Sequence, residues 1–536
     1  MKESKHRNRK DYEAPKFERH TYNRRNTASQ PSLEWVRCHY VPVAVLLLVG
    51  LAPLVETPWF PATIRALLLQ VLVGSFILLL GFLGLRRSYQ PDIRIALQRG
   101  AHPFLLALFF WSIVSFCEAP YRLFAVAELL RIMLCFGVYI ITAYGLRPSQ
   151  VTFTLGGIII FGVGMAIYGL LQFGEAQTSG NQYIFDHTLG LFGDNENLGS
   201  FLMILLLLAL QPALDRDNSE AVRLGAQAAS ILLLITLVLT CTRSAWIGGI
   251  CGLLASGIIS ARQKLYEQKN RHEDNSRHSW TARWGVWTSA ATVAAALLII
   301  LLVNVNTGAM VSHRALSLTH TTQLFSFTDR LRKSAAACRM ASERPLTGWG
   351  LGTWPVVQRK WTHERDTPEE VFARHDVWSR GADQQSLAHN FWAQWAAETG
   401  GIGLCLYISA IVAFLLSALR ELPLINSTQR RSVLLACIAA VVGSCVDAVG
   451  SPAYNFPGVS VLPWLCMGLG VAVCRDSHSH QPALPLAYLK TWGIALLTGS
   501  IAAIIVLVIG FALRPDTRGQ HGLNIPPIAS RVDSAN

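Results

Sequence analysis

Residues 490–513 read KTWGIALLTGSIAAIIVLVIGFAL. After the lysine this run carries no charge over the length that an α-helix needs to cross the hydrocarbon core of a bilayer. Comparable apolar runs recur from Tyr40 to Leu513, and the chain is 51% hydrophobic and 15% charged, against about 25% charged residues in soluble domains. Since a helix pairs its own backbone groups in lipid, the sequence predicts an all-α polytopic membrane protein.

The apolar runs predict about 12–13 transmembrane helices. Their ranges are 40–57, 64–85, 102–117, 123–144, 152–172, 198–214, 226–241, 243–260, 286–305, 391–419, 432–448, 459–474 and 490–513. The longest, 391–419, exceeds one span, so its first turns are expected either to project outside the bilayer or to bend at Gly400-Gly401. The predicted parts of the chain are a basic tail (1–38), a first transmembrane bundle (39–305), a large loop (306–390), a second bundle (391–513) and a C-terminal tail (514–536).

The net charge of +13 follows membrane topology rather than nucleic-acid binding. The tail over 1–38 and alternate later loops are basic, whereas the loops at 173–197 and 449–458 contain no Lys or Arg. Basic loops remain in the cytoplasm. The rule therefore predicts a cytoplasmic N-terminal tail and places the 306–390 loop and the C-terminal tail on the external face.

Arginines on the external side run against this rule and ask for a reason. Arg243 lies in a predicted outer turn, between two spanning helices. The large loop adds further arginines, among them Arg314, Arg330, Arg332, Arg339 and Arg344. Cations placed there predict an anionic substrate at the outer membrane face.

Within the large loop, Asp329–Ala341 contains no Pro or Gly and predicts an amphipathic helix at the membrane interface. Thr328 or Asp329 is its predicted N-cap, and Pro345 with the glycines of 348–352 ends it. Its predicted apolar face consists of Leu331, Ala335, Cys338 and Met340. The GxGxG run is not a dinucleotide fingerprint, because no strand precedes it.

Three polar patterns fall on the predicted outer side. They are GDNEN at 193–197, TRSAWIG at 242–248 and HNFWAQWAAETGGIG at 389–403. In the third, Asn390, Gln394 and Glu398 are spaced four apart and so share one helix face. A polar stripe on an apolar helix faces the bundle or a cavity rather than lipid.

The TRSAW turn, the arginine-bearing helix followed by RPLTGWGLGTW, and the HN-x3-Q-x3-E-x-G-x2-G run resemble the O-antigen ligase and polymerase superfamily over roughly residues 190–415. The resemblance implies a fold of about a dozen helices in a bacterial inner membrane, with the active site facing the periplasm. It implies a glycan donor on undecaprenyl diphosphate, transfer to a hydroxyl, and no metal or other cofactor. Ligases of this superfamily use lipid A-core as acceptor, and polymerases use another carrier-linked glycan.

Three candidate catalytic residues follow from the matched motifs. Arg243 and Arg330 match the family's arginine positions, and a guanidinium replaces a metal by gripping phosphate with two donors. His389 is the candidate general base, because an imidazole ordinarily titrates near neutral pH and takes the proton of an attacking hydroxyl. Direct displacement of this kind inverts the anomeric carbon.

The candidate substrate-binding residues are Asn390, Glu398, Asn195, Asn197, Arg332 and Arg314. Asn390 is expected to orient the imidazole or the sugar, and Glu398 to hold the positive charge of His389 or of an arginine. For Asn195 and Asn197 two readings stay open, a sugar or head-group contact and a cap of the helix at 198.

The expected partners are a lipid-linked glycan donor, a glycolipid or glycan acceptor and membrane lipids, without nucleic acid. A polysaccharide polymerase is the alternative with the same chemistry. A solute transporter is the alternative of another class. Few charges near helix midpoints, mainly Glu128 and Arg131, speak against transport.

Overall fold

The computed structural model describes residues 31–55, 57, 62–85, 101–179, 190–215, 218–270, 324–358, 361, 387–475 and 485–513. Its long helices are α1 (Pro31–Leu51), α2 (Ala62–Leu85), α3 (His102–Glu118), α4 (Arg122–Ile140), α5 (Pro148–Ser179), α6 (Asn195–Leu214), α7 (Glu220–Leu239), α8 (Arg243–Asn270), α9 (Leu324–Glu343), α10 (Phe391–Glu421), α11 (Thr428–Asp447), α12 (Pro457–Cys474) and α13 (Pro485–Ala512). The chain divides into a unit of residues 1–40, to which the first turns of α1 belong, and a compact unit over 41–536.

The helices confirm the predicted fold class. In the described part of the chain, nine helices are long and apolar enough to cross a membrane, and three shorter apolar helices accompany them. Each coincides with a predicted spanning segment, with ends that differ by several residues. The remaining predicted segment, 286–305, lies outside the described residues. The chain is therefore an all-α, multi-pass membrane protein.

Helix α9 differs from its predicted form. It begins at Leu324, so Thr328 and Asp329 lie inside the helix and are not its N-cap. The predicted apolar Leu331 is 54% exposed, whereas Lys333 is only 4% exposed.

The buried face of α9 explains the difference. It carries the small residues Ala336, Ala337 and Ala341, and small side chains let helix backbones approach closely. The helix packs against α10 and α13, where a Cβ at Gly510 would collide with the carbonyl of Cys338. Helix α9 thus packs on other helices through a face of small residues, and its predicted place at the membrane interface stays a prediction.

Helix α10 is broken at Gly400, which confirms the predicted bend. Gly400 has φ +71° inside the helix, a conformation that only glycine adopts without strain. The break leaves backbone N–H and carbonyl groups of α10 without partners inside the helix. The segment that follows α9 forms hydrogen bonds with them. Gly401 N–H donates to the Pro345 carbonyl at 2.7 Å, and Trp349 N–H donates to the Ala397 carbonyl at 3.0 Å.

The glycine run, from Gly348 to Gly352, lies between α10 and the α3–α4 turn. Gly350 N–H donates to the Glu398 carbonyl at 2.9 Å, and Leu351 N–H donates to the Ser115 carbonyl at 3.3 Å. Gly350 has φ +101°, and a Cβ there would collide with the backbone of Ala119. The RPLTGWGLGTW segment thus completes the backbone pairing of a broken helix.

Candidate functional site

The three polar patterns meet at one end of the bundle. Asn195, the first residue of α6, donates from Nδ2 to the Thr240 carbonyl at 3.0 Å, in the α7–α8 turn. Thr242 Oγ1 in that turn donates back to the Asn195 carbonyl at 2.9 Å. At the start of α10, Phe391 N–H donates to the Ala448 carbonyl at 2.9 Å. The start of α6 is therefore bonded to the α7–α8 turn, and the start of α10 is bonded to the end of α11.

Glu196 joins two of the predicted catalytic residues. Its Oε1 accepts a charged hydrogen bond from Arg330 Nη2, and its Oε2 lies 3.5 Å from His389 Nδ1. Arg330 Nη1 also donates to the Gly450 carbonyl at 3.1 Å, in the α11–α12 connection. The structure thus brings Arg330 of the large loop and His389 of the α10 start onto one carboxylate.

Sequence reasoning missed Glu196 as a site residue. It lies in the quoted GDNEN pattern, where only the two asparagines were selected. The available signal was an acidic side chain in the first turn of an otherwise apolar spanning helix. Such a group is costly in a membrane without a partner, and its partners come from segments more than a hundred residues away.

The backbone holds His389 in an unusual conformation. Its φ is +49°, which is rare for a residue with a Cβ and is found mostly where surrounding contacts enforce it. Those contacts are visible on both sides. Asn390 is the N-cap of α10 and accepts from Ala393 N–H at 3.1 Å, and Ala388 N–H donates to Gln394 Oε1 at 3.2 Å. The imidazole is therefore fixed by the helix start that follows it.

Arg243 is the first residue of α8 and is half-buried. The turn before it contains Cys241 at φ +55°, and Thr242 is the residue bonded to Asn195. Since Asn195 precedes Glu196, Arg243 belongs to the same end of the bundle as Arg330 and His389.

The asparagines do not cap α6. The helix begins at Asn195, and its N-cap is Asp194, whose side chain accepts from Glu196 N–H at 2.7 Å. The capping interpretation of Asn195 and Asn197 is therefore wrong. Asn195 instead ties α6 to the α7–α8 turn, and Asn197 is fully buried.

Glu398 accepts hydrogen bonds from the glycine run. Its two carboxylate oxygens accept from Gly352 N–H at 2.8 Å and from Trp354 N–H at 3.2 Å. Gln394 Nε2 reaches the same carboxylate at 3.4 Å, so the predicted shared face of these two residues is present. The carboxylate that faces Arg330 and His389 is that of Glu196.

Two further arginines were predicted to bind substrate. Arg332 is half-buried on α9, two residues beyond Arg330, and Arg314 lies outside the described residues. Within the described part of the chain, no group of three or more His, Cys, Asp or Glu side chains is placed to hold a metal ion. The cluster consists of a guanidinium, an imidazole and one shared carboxylate. Groups of these kinds can bind an anion and accept a proton.

Comparison with known proteins gives a family match. Residues 228–408 match the model of a family described as O-antigen ligase, about a third of the chain. No curated protein sequence matches significantly. The matched span contains Arg243, Arg330 and His389, and Glu196 lies before it. Residues 228–408 carry a domain that matches the O-antigen ligase family, and the apolar helices make the chain a multi-pass membrane protein.

Proposed function

We propose that this protein transfers a glycan from an undecaprenyl diphosphate carrier to an acceptor hydroxyl at the external face of a bacterial inner membrane. The contact that carries the proposal is the meeting of Arg330 and His389 on Glu196. It brings a guanidinium and an imidazole, which we assign as phosphate-binding group and proton acceptor, to one carboxylate at the end of the bundle where the polar patterns converge.

The proposed step is a single displacement. The acceptor oxygen forms a bond to the anomeric carbon while the bond from that carbon to the diphosphate oxygen breaks. The electron pair of the broken bond leaves with the diphosphate, and the acceptor proton passes to His389 Nε2. His389 Nδ1 faces Glu196, whose negative charge stabilises the imidazolium that forms. Attack from the face opposite the leaving group inverts the anomeric configuration.

The arginines stabilise the departing charge. Arg330 retains an exposed part of its side chain, 31% of its surface, with which to meet an anion from outside. A guanidinium stays charged and grips two phosphate oxygens at once. We assign Arg330 and Arg243 to the diphosphate, with Arg332, Arg314, Asn195 and Asn390 as further contacts of the head group or sugar.

The buried charges of α4 favour an enzyme over a transporter. Arg131 Nε donates to Glu128 Oε1 at 3.0 Å, and Arg131 Nη1 donates to the Tyr454 carbonyl at 3.0 Å. The two charges satisfy each other and a neighbouring backbone group, as a structural pair does. The ligase and polymerase reactions share one geometry, and we favour the ligase, whose acceptor is lipid A-core or another surface glycolipid.

The test is transfer by the purified protein in lipid nanodiscs with a carrier-linked glycan and candidate acceptors. His389→Gln is expected to lower the rate by about 10²-fold or more, because a positioned base contributes that much. The matched control is His102→Gln, since His102 begins α3 at the other end of the bundle. The product should carry the inverted linkage, and a chelator should leave the rate unchanged. Full activity of His389→Gln, or rescue of a chelated sample by magnesium, contradicts the proposal.

A further inference from the structure

The two oxygens of Glu196 are divided between groups with different tasks. Oε1 binds Arg330, and Oε2 faces His389 Nδ1 at 3.5 Å. One negative charge therefore serves both the proposed phosphate-binding cation and the proposed base.

Exposure differs sharply among the three side chains. Glu196 is 5% exposed and His389 is 9% exposed, whereas Arg330 is 31% exposed. An anion that arrives from outside therefore meets Arg330 first. The backbone N–H of Glu196 donates to Asp194 Oδ1 in the first turn of α6, so the helix start fixes the backbone that carries this carboxylate.

A diphosphate and Glu196 are both anions and compete for one guanidinium. When Arg330 binds the phosphates, the buried carboxylate of Glu196 loses part of its ion pair. A buried charge without its partner is costly in a nonpolar environment. His389 is the adjacent group that restores it, because the ring becomes positive when it takes the acceptor proton. Binding of the anion at Arg330 thus favours proton transfer to His389.

We propose that Glu196 is a positioning residue that couples the diphosphate-binding group to the base. It gives up Arg330 when a diphosphate binds there, and its negative charge then stabilises the imidazolium of His389. This inference rests on the proposed function, and it adds an order, in which the lipid diphosphate binds before the base is fully effective. Glu196 lies outside the part of the chain that matches the family, since that part begins at residue 228.

The decisive experiment separates binding from turnover. The probe is undecaprenyl diphosphate, titrated against the full-length protein in nanodiscs, and turnover is followed with the glycan-bearing carrier. In Glu196→Gln the neutral amide no longer competes for Arg330, so Kd for the probe should fall about fivefold. The turnover number should fall about 10²-fold, because the imidazolium loses its counter-charge. A merely structural role for Glu196 would weaken both.

Further variants keep the test decisive if Glu196→Gln is not obtained as folded protein. In His389→Gln the ring that gains its charge only during transfer is absent, so binding of the probe should be unchanged while the turnover number falls. Glu196→Asp keeps the charge and should restore part of the turnover. Glu175→Gln is the control, because Glu175 is exposed near the end of α5.

The outcomes distinguish the two proposals. If wild-type protein neither binds the probe nor transfers glycan, the proposed function fails and this inference fails with it. If wild-type protein does both, and Glu196→Gln binds the probe more weakly or His389→Gln binds it severalfold more weakly, the coupling alone is overturned.

Discussion

Glu398 accepts a hydrogen bond from the backbone N–H of Gly352 at 2.8 Å, across 46 residues of sequence. The contact joins the interior of α10 to the glycine run that follows α9, and the second oxygen of the same carboxylate accepts from Trp354 N–H. Since the site lies at the start of α10, this contact stabilises the element that presents His389.

Replacing Glu398 tests that stabilising contact. Glu398→Ala leaves two buried N–H groups without their acceptor and should cost about 2–6 kcal/mol, since each such loss costs about 1–3 kcal/mol. Glu398→Gln should cost less, because the amide oxygen still accepts one bond. The measurement is thermal unfolding in detergent, with the exposed Glu175→Ala as control. Equal midpoints for Glu398→Ala and wild type would show that the glycine run does not depend on the carboxylate.

The break in α10 predicts a contrast between two glycines. Gly400→Ala places a Cβ at φ +71° and against the Leu346 carbonyl, so it should destabilise the protein by about 1–3 kcal/mol or more. Gly164 on α5 has no atom within 4 Å of an added Cβ, so Gly164→Ala should be neutral or slightly stabilising through helix propensity. Thermal midpoints and the yield of folded protein measure both. Comparable loss in the two variants would contradict a special role for the break.

We expect the transfer rate to depend on the planar guanidinium of Arg330 and not on its positive charge alone. Arg330→Lys retains the charge but cannot serve Glu196, the Gly450 carbonyl and a phosphate together. Transfer should fall by about 10-fold to 100-fold, with most of the loss in the KM for the donor. The control is Arg122→Lys, because Arg122 also donates to a backbone carbonyl, that of Phe116, away from the cluster. Unchanged kinetics of Arg330→Lys would remove Arg330 from the proposed machinery.

The ends of α10 predict a labelling pattern. Leu346 is 64% exposed beside the site end of α10, and Leu424 is 52% exposed just after its far end. In a cysteine-free background, Leu346→Cys should react with an impermeant maleimide from the periplasm. Leu424→Cys should react only after the membrane is opened. The reverse pattern would place Arg330 and His389 on the cytoplasmic side and contradict the proposed reaction.

Sequence determined the class of fold because lipid imposes it locally. A run such as 490–513 must form a helix wherever it lies in a bilayer, since no water is present to satisfy its backbone. The bend at Gly400 was also a local property, because it follows from a glycine pair in a helix longer than one span needs. The resemblance of the motifs likewise identified Arg243, Arg330 and His389 as residues to test, and that assignment stays a prediction.

Tertiary structure alone decided the partners. Glu196, Arg330 and His389 are separated by more than fifty residues each, and periodicity carries no information on which loop end meets which helix start. The burial of α9 and the pairing of Glu398 with the glycine run were decided in the same way, by helix packing and by the backbone groups that a broken helix leaves to be satisfied.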